Sequence, residues 1–128
     1  MPGMPGMRRV TASAAHQIPE RTPLRVDAGD QVEVGERDAE WPAFVFVVAA
    51  GGGCGWVPAR HLSSATAGPA TVLVPYDTTE LPAEAGQTLD VLAEDSESGW
   101  LWCRDASGRQ GWIPQRSVVD LPPGGARP

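Results

Sequence analysis

The side chains that most often perform catalysis are few in this chain, and their spacing matches no catalytic set. Both histidines, His16 and His61, lie in the first half with Cys54, while Cys103 alternates with bulky apolar residues as a core position does. All 10 basic residues are arginine, so the chain has no lysine for Schiff-base chemistry. Because no Ser/His/Asp or Cys/His set can be assembled, we expect a protein that is not an enzyme.

Metal and phosphate sites are not expected either. The spacing of His16, His61 and Cys54 matches no paired pattern such as C-x-x-C or H-x-x-x-H. The glycine run 51–53 is followed by no strand-to-helix transition, so it predicts the tip of a hairpin rather than a phosphate-binding loop. We therefore expect no metal, no cofactor and no disulfide framework.

The side chains that stand out are aromatic, and they lie in the stretch GWLWCRDASGRQGWIP from Gly99 to Pro114. Two runs with a period of two flank a short turn that contains glycine, which predicts a β-hairpin. One face of this hairpin carries Trp100, Trp102, Trp112 and Pro114, and the other carries Leu101, Cys103 and Ile113. We expect the second face to pack a core and the aromatic face to meet a partner.

The charge of the chain indicates what kind of partner this is. The formal net charge is −6 with a pI near 4.7, which opposes nucleic-acid binding. The second half is the more acidic, and it contains the cluster Glu94-Asp95-Ser96-Glu97 beside the aromatic residues. These carboxylates favour a basic, arginine-containing partner, or they form a solvated loop.

No apolar run approaches the ~20 residues that a membrane span needs. The start of the chain, MPGMPGMRRV, lacks the apolar stretch of a secretory signal. We therefore expect a cytoplasmic protein that does not associate with a membrane. The abundance of Ala, Arg, Gly and Pro, with neither Lys nor Asn, is typical of a GC-rich bacterial genome.

An internal repeat organises the chain. Residues 24–62 and 81–118 align with one insertion, and each copy predicts about five short strands. We therefore predict an all-β fold of two small five-stranded barrels in tandem. The predicted order is a disordered tail at 1–7, a first barrel at 8–63, a linker at 64–70, a second barrel at 71–120 and a disordered tail at 121–128.

The predicted barrel cores follow the same division of the chain. Val10 and Ala12 supply the opening strand of the first barrel, and Val72 and Val74 supply that of the second.

The second repeat resembles a Src-homology-3 domain, and four segments in the family's order carry the resemblance. These are Val72-Leu73-Val74-Pro75-Tyr76, Glu80-Leu81-Pro82-Ala83-Glu84-Ala85-Gly86-Gln87, Trp100-Leu101 and Gly111-Trp112-Ile113-Pro114. The first repeat keeps Ala28-Gly29-Asp30 and Gly55-Trp56-Val57-Pro58, with Phe44 in place of the first tryptophan.

The resemblance implies a non-catalytic adaptor module that binds a peptide or protein in an aromatic groove, with a proline-rich or arginine-containing segment as ligand. The resemblance assigns Tyr76, Trp100, Pro114 and the flanking Trp112 to the groove. We add Trp102, which shares the strand face of Trp100, and Glu97 from the adjacent acidic cluster. A possible second groove in the first repeat comprises Trp41, Phe44, Trp56, Pro58 and His61. As the alternative, the aromatic faces form an interface between the barrels or in a homodimer, and the protein is a structural scaffold.

Overall fold

The computed structural model describes residues 8–18 and 22–121. The predicted all-β class is confirmed, since the described residues form β-strands and two 3₁₀ helices, Ala59–His61 and Gln115–Ser117. The strands are β1 (Arg8–Ala12), β2 (Arg25–Val26), β3 (Gln31–Arg37), β4 (Phe44–Ala49), β5 (Cys54–Pro58), β6 (Gly68–Thr71), β7 (Tyr76–Asp77), β8 (Thr88–Asp95), β9 (Trp100–Arg104), β10 (Gln110–Pro114) and β11 (Val118–Asp120). In these ranges, no helix is long and apolar enough to cross a membrane.

The described chain forms two compact units that do not follow the order of the sequence. The split unit combines residues 8–18 with residues 80–121, and the inserted unit comprises residues 22–79. The predicted ranges, 8–63 and 71–120, therefore differ from the observed units. The predicted tails, except for Leu121, lie outside the described residues.

The split unit is built on one antiparallel sheet with the strand order β10-β9-β8-β1-β11. Alternate residues of β1, β8, β9 and β10 point to one side and are buried, as the period-two pattern predicts. The buried cluster comprises Val10, Ala12, Leu81, Ala83, Leu89, Val91, Leu101, Cys103 and Ile113, with Val118 packed against it. Burial of each large side chain in this cluster contributes about 1.5–3 kcal/mol.

The inserted unit has a four-stranded antiparallel sheet with the order β5-β4-β3-β6 and a separate two-stranded sheet formed by β2 and β7. Val32, Val34, Val45, Val47 and Val57 are buried on these strands. Leu62, which follows the 3₁₀ helix, forms an antiparallel bridge with Val72.

The opening strands of the two sheets correspond in position but are exchanged along the chain. In the split unit, Arg8–Thr11 pairs with Thr88–Val91, and in the inserted unit, Gly68–Thr71 pairs with Gln31–Val34. Strand β1, at the start of the chain, thus joins the sheet of the second repeat. Strand β6, which precedes the second repeat, joins the sheet of the first.

The predicted cores and linker are wrong at these two strands. Val10 and Ala12 lie in the core of the split unit, Val72 is buried in the inserted unit, and Val74 is 45% exposed. Residues 68–70, predicted as linker, belong to β6. Alternation shows which face of a strand is buried but carries no information about which sheet the strand joins, and that choice caused the error.

The predicted closed barrels are not what the strand pairing shows. In the described residues the five-stranded sheet is open, with β10 and β11 as its edge strands. The four-stranded sheet has β5 and β6 as its edge strands. The split unit also has two isolated bridges outside its named strands. Glu80 forms a parallel bridge with Trp112, and His16 forms an antiparallel bridge with Ala83.

Candidate functional site

The hairpin from Trp100 to Pro114 has the register that its alternation predicts. Trp100 lies opposite Pro114, and Trp102 lies opposite Trp112. The side chains that alternate with these residues, Leu101, Cys103 and Ile113, are fully buried in the split unit. The hairpin therefore presents a core face and an aromatic face.

A network of hydrogen bonds around Asp105 closes this hairpin. The carboxylate of Asp105 accepts hydrogen bonds from the Ser107 hydroxyl at 2.6 Å, the Ser107 amide at 2.9 Å and the Arg109 amide at 3.0 Å. These bonds, with that of the Ser107 hydroxyl the strongest, lower the pKa of Asp105. Gly108 supplies the positive φ of 92° that the turn requires.

Aromatic pairs lie on the outward face of both units. The rings of Trp102 and Trp112 meet edge to face with centroids 5.2 Å apart, and the Trp102 indole donates a hydrogen bond to Gln110 Oε1 at 2.9 Å. In the inserted unit, Phe46 and Trp56 form the same cross-strand, edge-to-face pair at 5.2 Å. All four aromatic side chains are half-buried, so each pair leaves part of its area accessible.

The side chain that completes the surface around Trp100 is His16. Its ring meets the indole of Trp100 edge to face, with centroids 5.7 Å apart. The His16 Nε2 atom lies 2.9 Å from Glu80 Oε1, and the two side chains are 13% and 27% exposed. Backbone hydrogen bonds in both directions between His16 and Ala83 hold the histidine in place. A half-buried indole, an imidazole and a carboxylate thus form one surface.

Tyr76, which the resemblance assigns to the groove with Trp100, lies in the inserted unit instead. Its ring meets His61 edge to face with centroids 5.4 Å apart. Phe44, also in the inserted unit, pairs across the sheet with Pro58. Phe44 and Tyr76 are 6% and 9% exposed, so the inserted unit offers little accessible area at these two positions.

The remaining predicted residues lie near the ends of strands. Glu97 is exposed in the turn between β8 and β9, three residues before Trp100. In the inserted unit, Trp41 is half-buried, and its carbonyl accepts a hydrogen bond from the Phe44 amide.

Sequence reasoning missed His16 and Glu80 as members of the surface around Trp100. A signal for His16 was present, since it follows Ala12 by four positions just as Tyr76 follows Val72. Strand β1 pairs with β8 in the same register in which β6 pairs with β3. His16 and Tyr76, which follow these strands, therefore occupy equivalent positions in their units.

The chemistry of the remaining groups is limited. Among residues 8–18 and 22–121, no three His, Cys, Asp or Glu side chains cluster so that they could hold a metal ion. Burial raises the pKa of the Cys103 thiol to about 11, so this group stays protonated at neutral pH. The surface around Trp100 can stack on apolar or planar groups and can attract a cation through its carboxylates.

Comparison with known proteins finds a similarity to one family over part of the chain. No curated protein and no solved structure matches the chain. Residues 73–120 match the family model of the variant SH3 domain. This stretch contains the hairpin, Trp100 and Pro114, but its first residues, 73–79, belong to the inserted unit, and the remainder belongs to the split unit. Residues 73–120 are therefore similar in sequence to variant SH3 domains.

Proposed function

We propose that the protein is a non-catalytic interaction module that binds an extended peptide segment on the surface formed by His16, Glu80 and Trp100, with the buried Pro114 opposite Trp100 in the hairpin. The observation that carries this proposal is the half-buried Trp100 beside His16 and Glu80 in a unit that contains most of the variant SH3 match. Domains of the SH3 kind generally bind proteins or peptides, often proline-rich segments that are already extended.

The charges near Trp100 support a ligand with a positive side chain. Glu80 lies beside His16, and Glu97 lies three residues before Trp100 in the turn that leads into β9. A cation placed over an indole and near carboxylates gains both cation–π and charge–charge attraction. We therefore propose a proline-rich segment that contains arginine as the ligand class.

The split unit is the better candidate for this binding. In the inserted unit, the equivalents of Trp100 and His16 are Phe44 and Tyr76, and both are buried. We propose that the inserted unit is a second SH3-like domain whose aromatic surface contributes less to peptide binding.

A titration of the labelled full chain with defined peptides tests the proposal. The probes are a short proline-rich peptide with one arginine, the same peptide with glutamate for arginine, and a version with alanine for proline. We expect the first peptide to shift the Trp100 indole signal and neighbouring backbone amide NMR signals saturably, and the other two to bind at least about tenfold more weakly, about 1.4 kcal/mol.

Two variants give this titration its control. Trp100→Ala removes the indole and should abolish saturable binding. Val119→Ala shortens a residue on edge strand β11 that is 55% exposed, and it should bind as the wild type does. Equal binding of all three peptides, or unchanged binding by Trp100→Ala, would contradict the proposal.

The alternative function is a scaffold whose aromatic faces meet in a homodimer. The exposed part of the Trp102–Trp112 pair is the observation that suits it. Sedimentation equilibrium measures this directly, since a homodimer through this face would dissociate when Trp102 is replaced by glutamate. A monomer that binds the arginine peptide excludes the scaffold, and a dimer that binds none of the peptides favours it.

A further inference from the structure

The two opening strands, β1 and β6, occupy equivalent positions beside β8 and β3, and we call each of these positions a slot. Some interaction must therefore direct each strand to its own sheet. The slot on β8 faces Arg8–Thr11, and the slot on β3 faces Gly68–Thr71, in the same register. Both strands place a small or branched apolar residue, Val10 or Ala70, opposite a buried partner, Leu89 or Val32. Apolar packing alone therefore distinguishes the two pairings weakly.

Charge distinguishes them most strongly at Arg8. Arg8 donates hydrogen bonds to Asp120 Oδ1 and Glu94 Oε2, each at 2.7 Å. The register places Arg37 and Ser64 of the inserted unit at the positions equivalent to Glu94 and Asp120. On β3, Arg8 would lose both carboxylates and meet a second arginine, which is unfavourable.

Arg9 does not make the same distinction. It forms an ion pair with Asp90 at 3.1 Å, and Asp90 also pairs with Arg104 at 3.4 Å. The position of Arg9 on the other sheet faces Glu33, which is also a carboxylate but lies opposite Val48. With β1 on β8, Arg9 faces Asp90 and Pro69 faces Glu33. With β1 on β3, Arg9 would face Glu33 and Pro69 would face Asp90, so Arg9 has a carboxylate partner in either pairing. The two adjacent arginines therefore differ in what they can select.

We propose that Arg8, through Glu94 and Asp120, selects the exchanged pairing in which β1 completes the split unit. The consequence for the surface is specific. In the exchanged pairing His16 follows β1 to Trp100, whereas in the pairing without exchange Tyr76 would follow β6 to that place. Arg8 thus acts as a positioning residue for the surface around Trp100. This inference concerns strand pairing and does not depend on the proposed function.

A disulfide competition in the full chain tests this selection. Thr11 pairs with Thr88, and Thr71 pairs with Gln31. The Ala12 amide donates to the Gln87 carbonyl and the Val72 amide to the Asp30 carbonyl, so both pairs occupy equivalent sites between hydrogen bonds. Cα atoms at such sites are close enough for a disulfide.

The competing chain carries Thr11→Cys, Thr88→Cys and Gln31→Cys with Cys54→Ser and Cys103→Ala. It is unfolded, refolded in a glutathione buffer and mapped by mass spectrometry without reduction. With Arg8 present, we expect the thiol at position 11 to link mainly to position 88. With Arg8→Glu, we expect the ratio of the 11–88 to the 11–31 linkage to fall about tenfold, as the loss of two ion pairs and new repulsion imply.

Arg9→Glu is the matched control, and it should change the ratio much less than Arg8→Glu does, because both slots offer a carboxylate at this position. Arg8→Ala removes the ion pairs without adding repulsion, and it should shift the ratio in the same direction by a smaller factor. Arg8→Glu combined with Glu94→Arg should recover part of the 11–88 linkage. The inference is overturned if Arg8→Glu leaves the ratio unchanged, or if Arg9→Glu shifts it equally.

Discussion

The ring of His16 lies edge to face against the indole of Trp100, with centroids 5.7 Å apart, although the two residues belong to opposite ends of the chain. This contact exists because β1 pairs with β8, and the chain reaches His16 directly after β1. The surface around Trp100 therefore depends on a strand that lies outside the variant SH3 match at residues 73–120.

The environment of the Trp100 indole should report this contact. Replacement of His16 by alanine removes the ring beside the indole, so we expect a clear change in the chemical shift of the Trp100 indole proton. Replacement of Tyr76 by phenylalanine keeps a ring of the same size in the inserted unit and should leave that signal unchanged. Two-dimensional NMR of the labelled variants measures both, and the reverse pattern would place Tyr76 beside Trp100.

Gly111 should tolerate no side chain. A Cβ atom at this position would lie 2.7 Å from both the Glu80 carbonyl carbon and the Leu81 amide nitrogen, and these backbone atoms cannot move independently. We expect Gly111→Ala to lower the free energy of unfolding by about 1–3 kcal/mol or more, measured by guanidinium titration. Gly51→Ala meets no atom within 4 Å and is the control with little effect. Equal stability of the two variants would show that β10 does not pack on Glu80.

The two cysteines should differ in their reaction with a thiol reagent. Cys103 is fully buried, and burial raises the pKa of its thiol to about 11, so the reactive thiolate is scarce at neutral pH. Cys54 is half-buried at the start of β5. We expect one thiol to react in the native protein and the second only after unfolding. Cys54→Ser should remove the native reaction, and rapid modification of Cys103 would contradict its place in the core.

Asp105 should stabilise the hairpin in a way that depends on pH. Its hydrogen bonds from Ser107 and Arg109 lower its pKa, so the folded state binds this proton less tightly than the unfolded state does. The stabilisation is present above the unfolded pKa of about 3.9 and decreases as the pH falls through the folded pKa. We expect Asp105→Ala to cost about 1 kcal/mol at pH 7 and less as the pH falls through the folded pKa. A difference between wild type and variant that does not change with pH would contradict this.

Much of the local structure could be predicted from the sequence. The alternation of Trp100, Leu101 and Trp102 shows which side of β9 is buried, and the Asp105–Gly108 turn sets the register of the hairpin. These features depend on residues that are close in sequence, so pattern and turn chemistry are sufficient to find them.

The strand exchange could not be predicted in this way. Val10 and Ala70 both fit beside a buried strand, and alternation treats them as equivalent. The ion pairs of Arg8 with Glu94 and Asp120 distinguish the slots, but they link residues that are distant in sequence. Because the opening strand was assigned by its order in the chain, Tyr76 was expected beside Trp100 and His16 was missed.

Strand β1 completes the split unit by pairing with β8, and one NMR measurement on the unmodified protein tests this pairing. Thr11 and Thr88 occupy a site between hydrogen bonds of an antiparallel pair, where the two Hα atoms lie close together. The structure predicts a strong nuclear Overhauser effect between the Hα atoms of Thr11 and Thr88, and another between those of Gln31 and Thr71. Strong effects between Thr11 and Gln31 and between Thr71 and Thr88 in their place would contradict the account.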